Sequence, residues 1–314
     1  MDLKLLCCET STTENRAYPD KVLLSNRVLD NLLKTEEQYA LPASFLRKQT
    51  EVTPHMRKIV AEWMMEVCDE QNCQDEVFPL AVNFMDRFLA VRSISKSQLQ
   101  LLGTSCMLIA SKLREPKPLP AKTLVFYTDN SITIQDLRKC ELLVVSKLKW
   151  DLSVVTPQDF LPHILRRLPI ESVGIEYNMV NSHAKTLIAL CARDFDFTRY
   201  LPSMIASASV ASALCGLGWT SKSGRTLNDL LQILHEITST EQDYILDCFK
   251  QIENMVRLSA SGLSNPQGLT SSDIEDFSSC SVRADEFTPP PSASDKLQEQ
   301  ESAGTPTDVR DIHF

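Results

Sequence analysis

Glycine is scarce in this chain, at eight of 314 residues, and aromatic residues make up only 7%. Both shortages count against a turn-rich β fold and favour helices. Long apolar runs are missing as well. No stretch reaches the roughly 20 residues of a membrane helix, and the N-terminus lacks a basic leader with an apolar centre. The chain is therefore expected in the cytosol or nucleus, with no membrane partner.

The ten cysteines show no extracellular framework spacing. Cys68, Cys106, Cys140, Cys191, Cys215 and Cys248 fall in apolar helical patterns, where a reduced thiol fills core space. Cys68 and Cys73 have no second Cys or His pair to complete a zinc site, so no metal is expected. Catalytic signatures are lacking too. The chain has no G-x-x-x-x-G-K-[ST], G-x-G-x-x-G or H-E-x-x-H, and no nucleophile elbow. Ser93-Ile94-Ser95-Lys96 fits S-x-x-K without any companion motif, and His163 and His235 read as surface or boundary residues. These absences point to a binding protein without a cofactor rather than an enzyme.

The formal charge of −9 is unevenly spread. From Ser264 onward ten acidic residues face three basic ones, a net −7, which leaves −2 for the preceding 263 residues. A nearly neutral body without a basic stripe is poor material for tracking phosphates. Nucleic acid is thus not an expected partner. A helical transcription-initiation factor that holds DNA or polymerase is the rival reading, but it calls for a basic groove and a cysteine-rich zinc ribbon in front.

What the chain does contain is a helix with apolar residues on almost every side, Leu99 to Leu113. Leu99, Leu101, Leu102, Cys106, Met107, Leu108, Ile109, Ala110 and Leu113 leave no wide polar back, so this helix is expected to be enclosed by others. Gly103, Ser105, Ala110 and Ser111 keep parts of it slim. Thr53-Pro54 opens a helix with Met56, Ile59, Val60, Trp63, Met64 and Val67 at helical spacing, threonine capping and proline in the first turn. Further helices are expected near Val77–Val91, Ala121–Tyr127 and Thr133–Lys149, which makes five. The pattern then restarts. Thr156-Pro157 lies 103 residues after the first Thr-Pro, and Pro202–Leu217 is a second slim apolar helix at the same offset from Leu99. With helices near Ile175–Arg193, Leu227–Glu236 and Glu241–Leu258, this is an all-α chain of two tandem five-helix domains. The expected limits are 1–19 for a disordered polar arm, 20–152 for a leading amphipathic helix plus the first repeat, 153–258 for the second repeat, and 259–314 for a disordered acidic tail rich in Ser, Thr and Pro.

Two features of this layout suggest binding. Glu141 sits on the apolar stripe of Leu137, Val144, Val145 and Leu148, where a carboxylate is costly unless paired. Lys112, at the exit of the enclosed helix where the macrodipole favours a cation, is its candidate partner. The alternative is two boundary residues that each reach water. In the arm, Leu5, Cys7 and Glu9 form an L-x-C-x-E pattern whose side chains share one face of an extended strand.

The runs MRKIVAEWMMEV (Met56–Val67), LQLLGTSCMLIASK (Leu99–Lys112), YTDNS (Tyr127–Ser131) and the Glu141 helix together resemble a cyclin box. The L-x-C-x-E arm and the closing TPTDVRD narrow the resemblance to a D-type cyclin. The resemblance implies two five-helix cyclin boxes that activate a cyclin-dependent kinase of the four or six type without catalysing anything. The result would be phosphorylation of retinoblastoma-type proteins and passage from G1 to S. It further implies that Lys112 and Glu141 anchor the kinase. Met56, Ile59, Trp63, Glu66, Gln100 and Asp129 match the family's docking patch for R-x-L segments of substrates and Cip/Kip-type inhibitors. Leu5, Cys7 and Glu9 would dock retinoblastoma-family proteins. Thr305, before Pro306, matches the phosphorylated threonine read for export and by a ubiquitin ligase, which implies shuttling between nucleus and cytoplasm. Thr288-Pro289 is a weaker candidate. Residues 269–300 depart from the family pattern and leave the subtype open.

The two ends are expected to act as separable switches. Cys7→Gly with Glu9→Gln should weaken retinoblastoma-protein binding in a pull-down while kinase binding is unchanged. Phosphate on Thr305 adds about −1.5 to −2 charge for Arg-lined readers, so Thr305→Ala should lengthen the half-life and raise the nuclear fraction. Unchanged turnover of Thr305→Ala, with stabilisation by Thr288→Ala, would assign the signal to the other threonine.

Overall fold

Threonine with an aspartate three residues later starts three of the helices. The pairs are Thr133 with Asp136, Thr156 with Asp159 and Thr226 with Asp229, and in each the aspartate accepts the threonine N–H. Hydrogen bonds from Thr133 hold the Asp136 carboxyl below its usual range, and those from Thr226 do the same for Asp229. Each box satisfies N–H groups that a helix leaves unpaired at its start. Thr53 caps another helix by accepting the Met56 N–H at 3.3 Å, with Pro54 in the first turn.

The computed structural model describes residue 22, residues 26–42 and residues 44–260. A leading helix α1 (Asn26–Gln38) precedes α2 (Pro54–Glu70), α3 (Val77–Val91), α4 (Leu99–Arg114), α5 (Ala121–Tyr127) and α6 (Ile134–Lys147). The second set is α7 (Pro157–Leu165), α8 (Tyr177–Arg193), α9 (Pro202–Gly216), α10 (Trp219–Ser223), α11 (Leu227–Thr238) and α12 (Gln242–Ala260). The five expected helices of the second repeat are joined by the short α10. It is bracketed by Gly218 and Gly224, both at positive φ, and it carries the fully buried Trp219. Helix α6 stops at Lys147 rather than Lys149, because Lys149 and Trp150 turn left-handed. Among the described residues, no helix is long and apolar enough to cross a membrane.

Each repeat wraps around one slim helix. Helix α4 packs against α2, α3, α5 and α6, and its residues 102–111 are buried without a break. A Cβ on Gly103 would lie 3.0 Å from both Met64 Sδ and Val60 Cγ1, so any larger residue would have to push these α2 side chains aside. Helix α9 is the counterpart and packs against α1, α7, α8, α10, α11 and α12. Its alternating Ala and Ser residues from 206 to 213 are buried, which lets several neighbours approach its backbone. The seven described cysteines are free thiols. Cys68, Cys106, Cys191 and Cys248 are buried, whereas Cys73, Cys140 and Cys215 are half-buried.

The joint between the repeats is polar and buried. Arg57 of α2 is 1% exposed and forks onto Asp86 of α3, with Nε to Oδ1 at 2.8 Å and Nη2 to Oδ2 at 2.7 Å. Its remaining donors reach the carbonyls of Arg193 at 2.8 Å and Ala192 at 3.0 Å, the C-terminal end of α8. Lys58 with Asp194, and Lys185 with Asp75, add ion pairs across the same joint. Helix α1 precedes the first repeat in sequence yet packs on the second, with Leu29 in the second core and Leu32 and Leu33 against it. Its Glu36 is 3% exposed and sits at the start of α9, accepting the Ser203 N–H at 2.7 Å and the Ser203 hydroxyl at 2.6 Å.

Two stability tests follow from this joint. Arg57→Ala leaves the Asp86 carboxylate and two helix-end carbonyls buried without their donor. We expect a loss of about 3–5 kcal/mol, read from urea unfolding, and a loss below about 1 kcal/mol would remove Arg57 from the joint's energetics. For Glu36, burial pushes the carboxyl from 4.5 up to about 7, against the lowering effect of the Ser203 hydrogen bonds. The folded chain therefore keeps a proton there that the unfolded chain gives up. This contribution is fully present below pH 4.5 and is lost as pH rises to about 7. Glu36→Gln should flatten that part of the stability–pH curve, and an unchanged slope would place the titration elsewhere.

Candidate protein-docking site

The last turn of α4 carries Lys112, and the middle of α6 carries Glu141. The two meet, with Lys112 Nζ donating to Glu141 Oε1 at 2.6 Å. Leu137 and Val144 of the α6 stripe are fully buried. Glu141 stands at the margin of that stripe, 20% exposed, and Lys112 is 50% exposed. The pair is thus open to solvent rather than buried in the isolated chain. Exposed ion pairs contribute only about 0–1 kcal/mol, so folding alone gives little reason for this one. Two apolar groups lie on the same elements. Leu113 directly follows Lys112 and is 49% exposed, while Trp150, just beyond α6, is 72% exposed. Trp150 donates its N–H to the Val145 carbonyl at 2.9 Å, which folds the chain back to one turn from Glu141. The pattern reading of Glu141 did not include Leu113 and Trp150, because periodicity does not show which apolar residues stay uncovered.

A second surface is built on α2. Met56, Ile59, Trp63 and Glu66 recur at helical spacing. Ile59 is 50% exposed, Glu66 is exposed, and Met56 and Trp63 are half-buried against the first core. Gly103 draws the first half of α4 against Val60 and Met64 of this helix. Half-buried Gln100, one turn earlier on α4, accepts from the Ser131 hydroxyl at 3.5 Å, which places the α5–α6 turn beside it. Asp129 is exposed in that turn, with φ at 54°, and Gln71 donates to the Tyr127 hydroxyl at 2.7 Å from the end of α2. Helix α2 thus carries apolar Met56, Ile59 and Trp63 with acidic Glu66, and the turn beside Gln100 carries acidic Asp129. That chemistry suits a segment with one cation and apolar side chains.

The two surfaces are distinct. Gln100 and Lys112 lie twelve residues apart on α4, about 18 Å along its axis. The remaining sequence-predicted residues, Leu5, Cys7, Glu9, Thr288 and Thr305, lie outside the described residues. One structural residue escaped the pattern reading altogether, Arg57. Its signal was a cation on the buried stripe of Ala61, Met64 and Cys68, the same signal that singled out Glu141.

Comparison with known proteins agrees with this architecture. Residues 27–153 match the family described as "Cyclin, N-terminal domain" and residues 155–280 match "Cyclin, C-terminal domain". The chain is 46% identical over 318 residues to G1/S-specific cyclin-D2 of Gallus gallus, covering 99% of this chain and 100% of that protein. It is 44% identical over 314 residues to G1/S-specific cyclin-D3 of Homo sapiens (99% and 100% covered). G1/S-specific cyclin-D1 of Danio rerio is 43% identical over 316 residues, with 100% of both chains covered. Among solved structures, a viral cyclin from herpesvirus saimiri superposes with a TM-score of 0.63 at 25% identity, over 74% of this chain and 97% of that one. With both cyclin domains in tandem and nearly full-length identity to the G1/S-specific members, the chain belongs to the cyclin family and, within it, to the D-type cyclins.

Proposed function

We propose that this chain is the regulatory subunit of a cyclin-dependent kinase of the four or six type, which it activates in G1 without itself catalysing a reaction. The observation that carries the reading is the open Lys112–Glu141 pair, flanked by exposed Leu113 and Trp150, on a chain 43–46% identical to G1/S-specific cyclins. A kinase face with complementary charge and an apolar helix would cover these groups and raise the worth of the pair by excluding water.

Activation is then a shift of populations. A kinase alone samples active and inactive arrangements, and a partner that binds only the active one draws the equilibrium toward it. Moving a 1:99 mixture to 99:1 takes about 5.5 kcal/mol of differential affinity. Because residues 102–111 of α4 are buried among its neighbours, the face at its end is firmly held, and little of that affinity is spent on ordering it.

In this reading the α2 surface recruits R-x-L segments of substrates and Cip/Kip-type inhibitors. Glu66 and Asp129 attract the arginine, and Ile59 and Trp63 receive the leucine. The L-x-C-x-E arm adds a separate tether for retinoblastoma-family proteins. Phosphorylated Thr305 ends the protein's residence in the nucleus by export and ubiquitin-ligase recognition.

A single experiment separates the two surfaces. Lys112→Glu should abolish kinase activation on every substrate, since mispairing a covered charge costs about 2–5 kcal/mol of binding. Trp63→Ala should leave activity on short peptides intact and lower phosphorylation of substrates carrying R-x-L. Melting curves recorded alongside report whether Trp63 mainly supports the core. Full activation by well-folded Lys112→Glu protein would overturn the kinase-binding assignment. A Trp63→Ala protein that keeps R-x-L selectivity but melts early would overturn the docking role.

A further inference from the structure

The end of α2 is closed by a motif that brings two specific side chains together. Helix α2 ends at Glu70, Gln71 caps it, and Asn72 turns left-handed at φ 49°. The Cys73 N–H then bonds to the Cys68 carbonyl at 2.9 Å, and the Asn72 N–H bonds to the Asp69 carbonyl at 3.1 Å. These two bonds define a Schellman cap, in which the third-last helical residue meets the second residue beyond the cap. Helices α5 and α6 close in the same way, with the Asn130 N–H on Val125 and the Trp150 N–H on Val145. In most caps of this type the meeting pair is a hydrophobic contact. At α2 both positions are cysteine, Cys68 and Cys73.

We propose that Cys68 and Cys73 form an oxidisable dithiol, a modification site that a hydroperoxide converts to a disulfide across the cap of α2. The geometry permits it. With the 2.9 Å bond in place, standard backbone lengths cap the Cα separation at about 6.8 Å, within the span of roughly 4.4–6.8 Å that disulfides occupy. The Cα separation is therefore within a disulfide's span while the cap's backbone bond stays in place. The alternative of a metal site lacks ligands, since no group of three His, Cys, Asp or Glu side chains gathers among the described residues.

The two sulfurs have different roles. Cys73 is half-buried and within reach of a small oxidant, whereas Cys68 is 5% exposed. The neighbouring Cys68 thiol holds Cys73 below the ordinary range against the opposing effect of burial, while Cys73 and burial push Cys68 up. Asp69 and Glu115 add negative charge near the pair and oppose ionisation. With hydrogen peroxide as the oxidant, Cys73 sulfur attacks one oxygen. The S–O bond forms, the O–O bond breaks, and the departing hydroxide takes the thiol proton as water. Cys68 sulfur then attacks Cys73 sulfur, so that S–S forms and S–O breaks. The hydroxyl leaves with the Cys68 proton as a second water. Two thiols lose two electrons and two protons, and the peroxide gains them.

The test uses the purified full chain treated with hydrogen peroxide, then unfolded, alkylated with iodoacetamide and cut with trypsin. Residues 59–87 form one tryptic peptide holding Cys68 and Cys73 and no other cysteine. We expect that peptide to lose both alkylation sites together, to weigh two hydrogens less, and to recover both sites after dithiothreitol. Cys73→Ser should leave Cys68 fully alkylated after the same treatment. Circular dichroism should show an unchanged helical spectrum in the oxidised chain. The proposal is overturned if both cysteines stay alkylated while cysteines elsewhere oxidise. It is equally overturned if Cys73 stops as a sulfinic acid beside an alkylated Cys68, or if either residue bridges to a different cysteine.

Discussion

The relation between the two repeats rests on a guanidinium buried at their joint. Arg57 reaches from α2 to Asp86 on α3 and to the terminal carbonyls of α8, so one side chain ties three helices from two repeats. Burying a charge is costly, and a buried ion pair is often no more stabilising than well-packed apolar groups. What it adds here is direction. The planar fork satisfies the carboxylate from one side and the helix end from the other, and the partial negative charge at the C-terminus of α8 helps to balance the cation. A hydrophobic replacement could fill the volume but would leave both carbonyls without donors. The orientation of α2 is set by this inner face, and its outer face carries Ile59, Trp63 and Glu66.

Helix α4 does the corresponding work along the other axis. Because it is enclosed, its side chains reach the surface mainly at its ends, with Gln100 at one and Lys112 at the other. Its slimness at Gly103 admits α2, and its C-terminal turn offers a cation to α6. An enclosed rod of this kind holds the Gln100 and Lys112 ends of the helix in fixed relation. The same solution recurs in α9, where Ala and Ser allow close approach. There the start of the helix is occupied by Glu36 of α1.

Much of this was legible from local pattern. Thr-Pro and Thr-x-x-Asp starts, apolar periodicity and the 103-residue offset depend on backbone geometry and solvent preference, which act over a few residues and leave marks in the chain itself. The Lys112–Glu141 pairing was legible in part, since a carboxylate on an apolar stripe calls for a partner and a helix exit favours a cation; that the two meet is seen in the structure. Arg57 carried a similar mark, but its partners lie 29 and about 136 residues away, in α3 and at the end of α8. No local rule selects them.

The sequence by itself determined that the chain is all-α, that it repeats and where most helices begin. Only the tertiary structure decided which faces meet. It placed α1 on the second repeat rather than the first and left Leu113 and Trp150 uncovered. The physical reason is that helix formation is settled by interactions between neighbours in the chain. Exposure and contact are settled by how rigid rods share a finite volume, and that depends on every side chain at once.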